Sequence, residues 1–158
     1  MRRAIAITCV VLPAVLTACT HRENQPPPSG YPTTVRSESD LGSLVLSLSA
    51  AELTTVDRLE VRLTLSRSAG VAAGELAFEP EAAGWTVISH TASSPRLEAD
   101  GSVHTTWTWM LEPFLDGQYT IPSASVELHD AAHSTLLSTP AQQVSVASVL
   151  QGDEATLA

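Results

Sequence analysis

From Val103 to Glu112 the chain alternates without a break. Val103, Thr105, Trp107, Trp109 and Leu111 fall on one face, and His104, Thr106, Thr108, Met110 and Glu112 on the other. The same period of two runs through Leu59, Val61, Leu63 and Leu65, which alternate with Arg58, Glu60, Arg62 and Thr64. Successive side chains of an extended strand point to opposite faces, whereas a helix repeats every 3.6 residues, so both segments are half-buried strands. A chain whose clearest patterned segments are amphipathic strands must bury one face of each against a second layer.

The other patterned segments fit that scheme. Residues 44–48 are a single apolar run, 76–78 a short one ending at Pro80, and 85–89 a strand after Gly84. Residues 119–121 lead through Pro122 to 124–128, and 143–149 close the pattern. Asp100-Gly101 is a strong hairpin signal, and residues 130–134 read as another turn. The one helix-tempting stretch, Ala50-Ala51-Glu52-Leu53, reads as a turn between strands. Residues 41–150 are therefore expected to form an all-β domain, an immunoglobulin-like antiparallel β-sandwich of about seven strands.

The N-terminus reads differently. Met1-Arg2-Arg3 precedes an apolar run, residues 4–16, that is too short to span a bilayer. It ends in Leu16-Thr17-Ala18-Cys19, which resembles the bacterial lipobox. The resemblance implies a signal peptide over 1–18, cleaved before Cys19, and a diacylglyceryl group on the Cys19 thiol. Acyl chains on one residue give a durable anchor. Thr20 stands where an Asp is associated with inner-membrane retention, so the periplasmic face of the outer membrane is the expected location in a Gram-negative cell. Residues 19–40, with Pro26-Pro27-Pro28 and Pro32, read as a proline-rich tether, and residues 151–158 as a frayed acidic tail.

Charge and cysteine content narrow the function. Two of the eight basic residues lie in the signal, leaving six arginines against 17 acidic residues and a formal mature charge of −11. Such a chain is a poor ligand for nucleic acid or anionic lipid, both of which require cations against phosphate. Cys9 leaves with the signal and Cys19 is acylated, so no thiol remains for a disulfide, a redox pair or a thiolate metal site. Neither a G-x-S-x-G elbow, an H-E-x-x-H motif nor a glycine-rich phosphate loop is present. No enzyme and no cofactor are expected.

Two ligand-binding alternatives remain. His129 and His133 flank the turn at Asp130, with His90, His104 and Met110 as further donors, a residue set of the kind that holds cuprous copper. Trp107 and Trp109 share one strand face and offer a stacking surface for sugar, although Val103 and Leu111 on that face favour burial.

The sharpest motif is Asp116-Gly117-Gln118-Tyr119. Asp-Gly supplies a tight turn, and Tyr119 fits the tyrosine corner of immunoglobulin-like sandwiches, whose hydroxyl bonds back to backbone a few residues upstream. The wider stretch, Trp107-Thr108-Trp109-Met110-Leu111-Glu112-Pro113-Phe114-Leu115 through Asp116-Gly117-Gln118-Tyr119-Thr120-Ile121-Pro122, resembles the extracytoplasmic β-domains of the BatD (oxygen-tolerance, or aerotolerance) family. The resemblance extends over residues 43–149 and is sharp over 107–122. It implies a non-enzymatic protein acting beside von Willebrand A-domain proteins and MoxR-type ATPases in the envelope. This chain differs in having one such domain, a lipid anchor and no transmembrane helix. The expectation is a membrane-tethered accessory lipoprotein with a BatD-like domain that contacts an envelope protein.

Overall fold

A computed structural model describes residues 30–149. The strands run in the order β1 (Thr33–Ser39), β2 (Gly42–Leu48), β3 (Glu52–Thr54), β4 (Leu59–Ser68), β5 (Ala72–Ala73), β6 (Thr86–Ala92), β7 (Arg96–Leu97), β8 (Ser102–Glu112), β9 (Gly117–Ile121), β10 (Ser125–His129), β11 (Ser134–Ser138) and β12 (Gln142–Ala147), with one 3-10 turn at Pro80–Ala83. The expected signal peptide over 1–18, Cys19, the triple proline and the expected tail over 151–158 lie outside the described residues.

The alternation of β4 and β8 places them at the centre of the larger layer. Its strand order is β1-β2-β4-β8-β6, with β7 also paired to β8, and every pairing in it is antiparallel. The register sets Leu63 opposite Trp107 and Leu59 opposite Leu111, so the apolar stripes of the two strands merge into one face. The facing layer is split in two. One half is β11-β10-β5 and the other β3-β12-β9, where β3 and β12 run parallel. Leu44, Leu46, Leu48, Leu59, Val61, Leu63, Leu65 and Leu111 from the first layer meet Ile121, Val126, Leu128, Leu137 and Val144 from the second, all of them buried. Each such side chain withdrawn from water contributes roughly 1.5–3 kcal/mol, and this apolar contact holds the layers together. The all-β sandwich expected from the sequence is the fold observed.

The strand inventory differs from the expected one. Residues 33–39, read as the end of the tether, form edge strand β1, paired along its whole length to β2. Arg36 and Thr34 cover the buried Ser43 and Ser47 of β2, with Arg36 Nη2 donating to Ser43 Oγ at 3.1 Å. Residues 134–138 form β11, and Leu53, read as part of a turn, is buried on β3. Among the described residues there are thus twelve strands against about seven expected, three of them only two or three residues long. Gly42 opens β2 where an added Cβ would run into the carbonyl oxygen of Ser66, so only glycine lets these two strands approach.

Candidate functional site

The two aromatic residues nearest the end of β8 are packed inward. Trp109 is buried and Trp107 half-buried against the core. The Trp109 ring meets Phe78 edge-on at 4.7 Å and stacks with His90 at 4.4 Å. Trp85, which follows the left-handed Gly84, is buried too, and its Nε1 donates to the Thr120 carbonyl at 3.0 Å. Of the Trp107–Trp109 pair read as a stacking surface for sugar, Trp109 is thus buried and Trp107 packs partly on the core.

That loop, residues 113–116, joins β8 to β9. Pro113 is buried at its start. At its end Gly117 has φ of 140°, a conformation that side-chain-bearing residues rarely adopt. Between them the Tyr119 hydroxyl accepts hydrogen bonds from the backbone N–H of Phe114, at 3.1 Å, and of Leu115, at 3.0 Å. The Tyr119 ring packs on Trp85 with centroids 4.8 Å apart. Backbone donors need partners, and here one hydroxyl satisfies two of them and fixes the loop's course. The consequence is that Phe114 and Leu115 project outward, 81% and 60% exposed. Asp116 is exposed beside them.

A second loop stands at the same end. In residues 55–58, the Asp57 carboxylate accepts from Thr54 N at 2.8 Å and from Thr54 Oγ1 at 2.7 Å. Those two hydrogen bonds hold the Asp57 carboxyl below the usual carboxylate range. Val56, 71% exposed, projects from this turn. Arg58 Nε bridges to Glu112 Oε1 at 2.8 Å and ties the second loop to the end of β8.

The histidines are scattered. His129 ends β10 and is exposed, and His133 lies across the turn with its Nδ1 3.7 Å from Asp130 Oδ1. Asp130 is itself occupied, accepting from the N–H groups of Ala132 and His133 at 2.7 Å each, which lowers its carboxyl. His104 is on the other layer, sharing hydrogen bonds with Ser102 and Ser66, and His90 is on β6 against Trp109. Among the described residues no group of three or more His, Cys, Asp and Glu stands close enough to hold a metal ion. Nor is any described helix long and apolar enough to cross a membrane.

The structure thus brings Asp116, Gly117 and Tyr119 together at one corner and leaves His129 and His133 on a separate turn. What the sequence reading passed over is the outward aim of Val56, Phe114 and Leu115. The available signal was position: Phe114-Leu115 sits between a proline and an Asp-Gly turn, where a strand has just ended.

A family model described as the BatD DUF11-like domain matches residues 46–146, nearly two thirds of the chain. The match starts within β2 and ends within β12, so it takes in both layers and the Tyr119 corner. No curated protein and no solved structure gives a match.

Proposed function

This chain belongs to the family of BatD DUF11-like domains, and from that premise we propose that it is a non-catalytic accessory lipoprotein of the cell envelope, tethered by lipid on Cys19 and working through contact with other envelope proteins. The observation that carries the reading is the family match across nearly the whole sandwich. Two further features support it. The Asp57 and Asp130 carboxylates are engaged with neighbouring backbone N–H groups and Glu112 with Arg58, as structural polar groups are. The Tyr119 corner holds large apolar side chains in the open, the arrangement of a contact surface.

The partners that the family suggests are von Willebrand A-domain proteins working with a MoxR-type ATPase. The lipobox-like Leu16-Thr17-Ala18-Cys19 supports the anchor, and Thr20 supports the periplasmic face of an outer membrane. The test is affinity purification of the intact chain from detergent-solubilised host membranes. A von Willebrand A-domain protein is expected to co-purify. Recovery of the chain with no envelope protein at all would refute the accessory reading. Labelling with palmitate tests the anchor, and Cys19→Ser is expected to abolish the label.

A further inference from the structure

We propose that the end of the sandwich carrying Val56, Phe114 and Leu115 docks on the surface of the bilayer in which the chain's own lipid is embedded. The inference rests on the Cys19 anchor proposed above and adds an orientation to it.

Chain direction is the first argument. Thr33 of β1 lies opposite Leu48, Leu48 opposite Val61, and Leu59 opposite Leu111. Gly30 and Tyr31 therefore enter at the end where β4 begins and β8 finishes, which is the end of Val56 and Phe114. The last strand leaves there too, since Ala147 of β12 pairs with Thr54 and accepts from Thr55 N at 3.0 Å. Cys19 lies eleven residues before Gly30. A fully extended chain covers at most about 3.6 Å per residue, so this end is never farther than roughly 40 Å from the acylated sulfur. An anchored tether of that length keeps the docking end at a high effective concentration beside the lipid, so even a weak apolar contact is sustained.

Side-chain chemistry is the second argument. Three large exposed apolar residues on two loops are collected at this end, and one ion pair, Arg58 to Glu112, ties the loops together. The Tyr119 hydroxyl holds the Phe114-Leu115 backbone through both N–H groups, and both side chains stand exposed there. Among the described residues the opposite end carries one large exposed apolar side chain, Leu97 of β7, and not a cluster. Its turns carry Asp40, Ser68, Asp100 and Asp130, and its concavity is lined by polar groups such as Arg36, Glu38, Ser43 and Arg67. The charges around the apolar tips are Asp57, Asp116, Glu112 and Arg58, an acidic excess. The surface that suits apolar tips in an acidic setting is zwitterionic lipid, because anionic headgroups would repel it.

The mature chain, residues 19–158, contains the whole described sandwich and one thiol. It can be coupled through Cys19 to a maleimide phospholipid in phosphatidylcholine vesicles whose acyl chains carry bromine. Two variants report depth: Phe114→Trp at the docking end and Leu136→Trp on β11, another exposed position. Each is read against the unsubstituted chain, which accounts for the three native tryptophans. Quenching of the residue-114 reporter is expected to exceed that of the residue-136 reporter by about twofold or more, and to weaken in vesicles enriched in phosphatidylglycerol. Equal quenching at both positions, or none at either, overturns the docking. So does an unquenched residue-114 reporter accompanied by a host envelope protein that Phe114→Glu releases, which assigns the tips to a protein instead. Because the vesicle lipid is attached chemically, absence of palmitate label in the host overturns the natural anchor and leaves the quenching to judge the docking end.

Discussion

Strand β8 ends in two different ways. At its start, residues 98–101 turn back to β7 through Asp100 and Gly101. The Asp100 carboxylate accepts from Ser102 N at 2.9 Å and Ser102 Oγ at 2.6 Å, and Gly101 takes φ of 83°. At its finish, residues 113–116 turn to β9, and the backbone donors are met by a tyrosine hydroxyl from the next strand. The first turn is closed by its own charge within two residues and shows polar groups to water. The second borrows its acceptor from four and five residues away, which frees its own side chains to be apolar. A turn that does not need Asp or Ser for its own closure can carry Phe and Leu, and that is what distinguishes the two ends of β8.

The largest effect expected from breaking this contrast is at Tyr119. Tyr119→Ala removes the ring from Trp85 along with the hydroxyl, and should lower stability by about 3 kcal/mol, toward the low end of aromatic truncations because the residue is half-buried. Tyr119→Phe keeps the ring and removes only the acceptor, with an expected loss of about 1–2 kcal/mol. Urea denaturation followed by tryptophan fluorescence measures both. Equal losses for the two variants would mean that the ring carries nothing and the hydroxyl everything. No loss for Tyr119→Phe would mean that the loop's N–H groups are served by water.

Asp100→Ala should cost less than Tyr119→Phe, and its cost should depend on pH. Hydrogen bonds from the Ser102 side chain and backbone hold the Asp100 carboxyl below its ordinary value. A depressed folded-state pKa contributes stability above the unfolded pKa, roughly 3.9 for an aspartate, that disappears as pH falls through the lower folded value. The gap between Asp100→Ala and the parent should therefore be complete at neutral pH and close under acid. The Tyr119→Phe gap is expected to stay level over the same range, because no carboxylate takes part in those hydrogen bonds. Parallel acid titrations of the two variants test the distinction between a turn closed by charge and one closed by a neutral group.

How legible these features were follows from the same physics. β4 and β8 announce themselves because each lies between two neighbours with one face in the core, so burial is written into every second residue. β1 does not, because an edge strand of sequence Thr-Thr-Val-Arg-Ser-Glu-Ser carries one apolar side chain, and what fixes it is backbone pairing to β2. β5 and β7 are two residues each, too short to show any period. The split of the second layer depends on which strands meet, and no local pattern encodes that. The spacing of Tyr119 from Asp116-Gly117 could be read, since a corner has a local signature. The exposure of Phe114 and Leu115 had only a positional signal, between Pro113 and the Asp116-Gly117 turn, and an apolar residue in a sequence reads as core until the backbone shows which way it points.

Phe114→Ser should change stability least. The side chain is 81% exposed, so little apolar area is lost from the folded core, and the hydrogen bond that matters there belongs to the backbone N–H, which serine keeps. A change within about 0.5 kcal/mol is expected, as for surface positions away from special features. The same substitution should nevertheless lessen retention of the chain on a hydrophobic-interaction column, and Leu136→Ser, an exposed apolar site on β11, should do so less, because Leu136 stands alone while Phe114 has Leu115 next to it and Val56 on the neighbouring loop. If Phe114→Ser proved strongly destabilising, the ring would be a structural prop and the end would be no different in kind from the Asp100 turn. A variant that folds as well as its parent and adheres less separates the two roles, because the corner would then be held entirely by Tyr119 and what it displays would be open to another purpose.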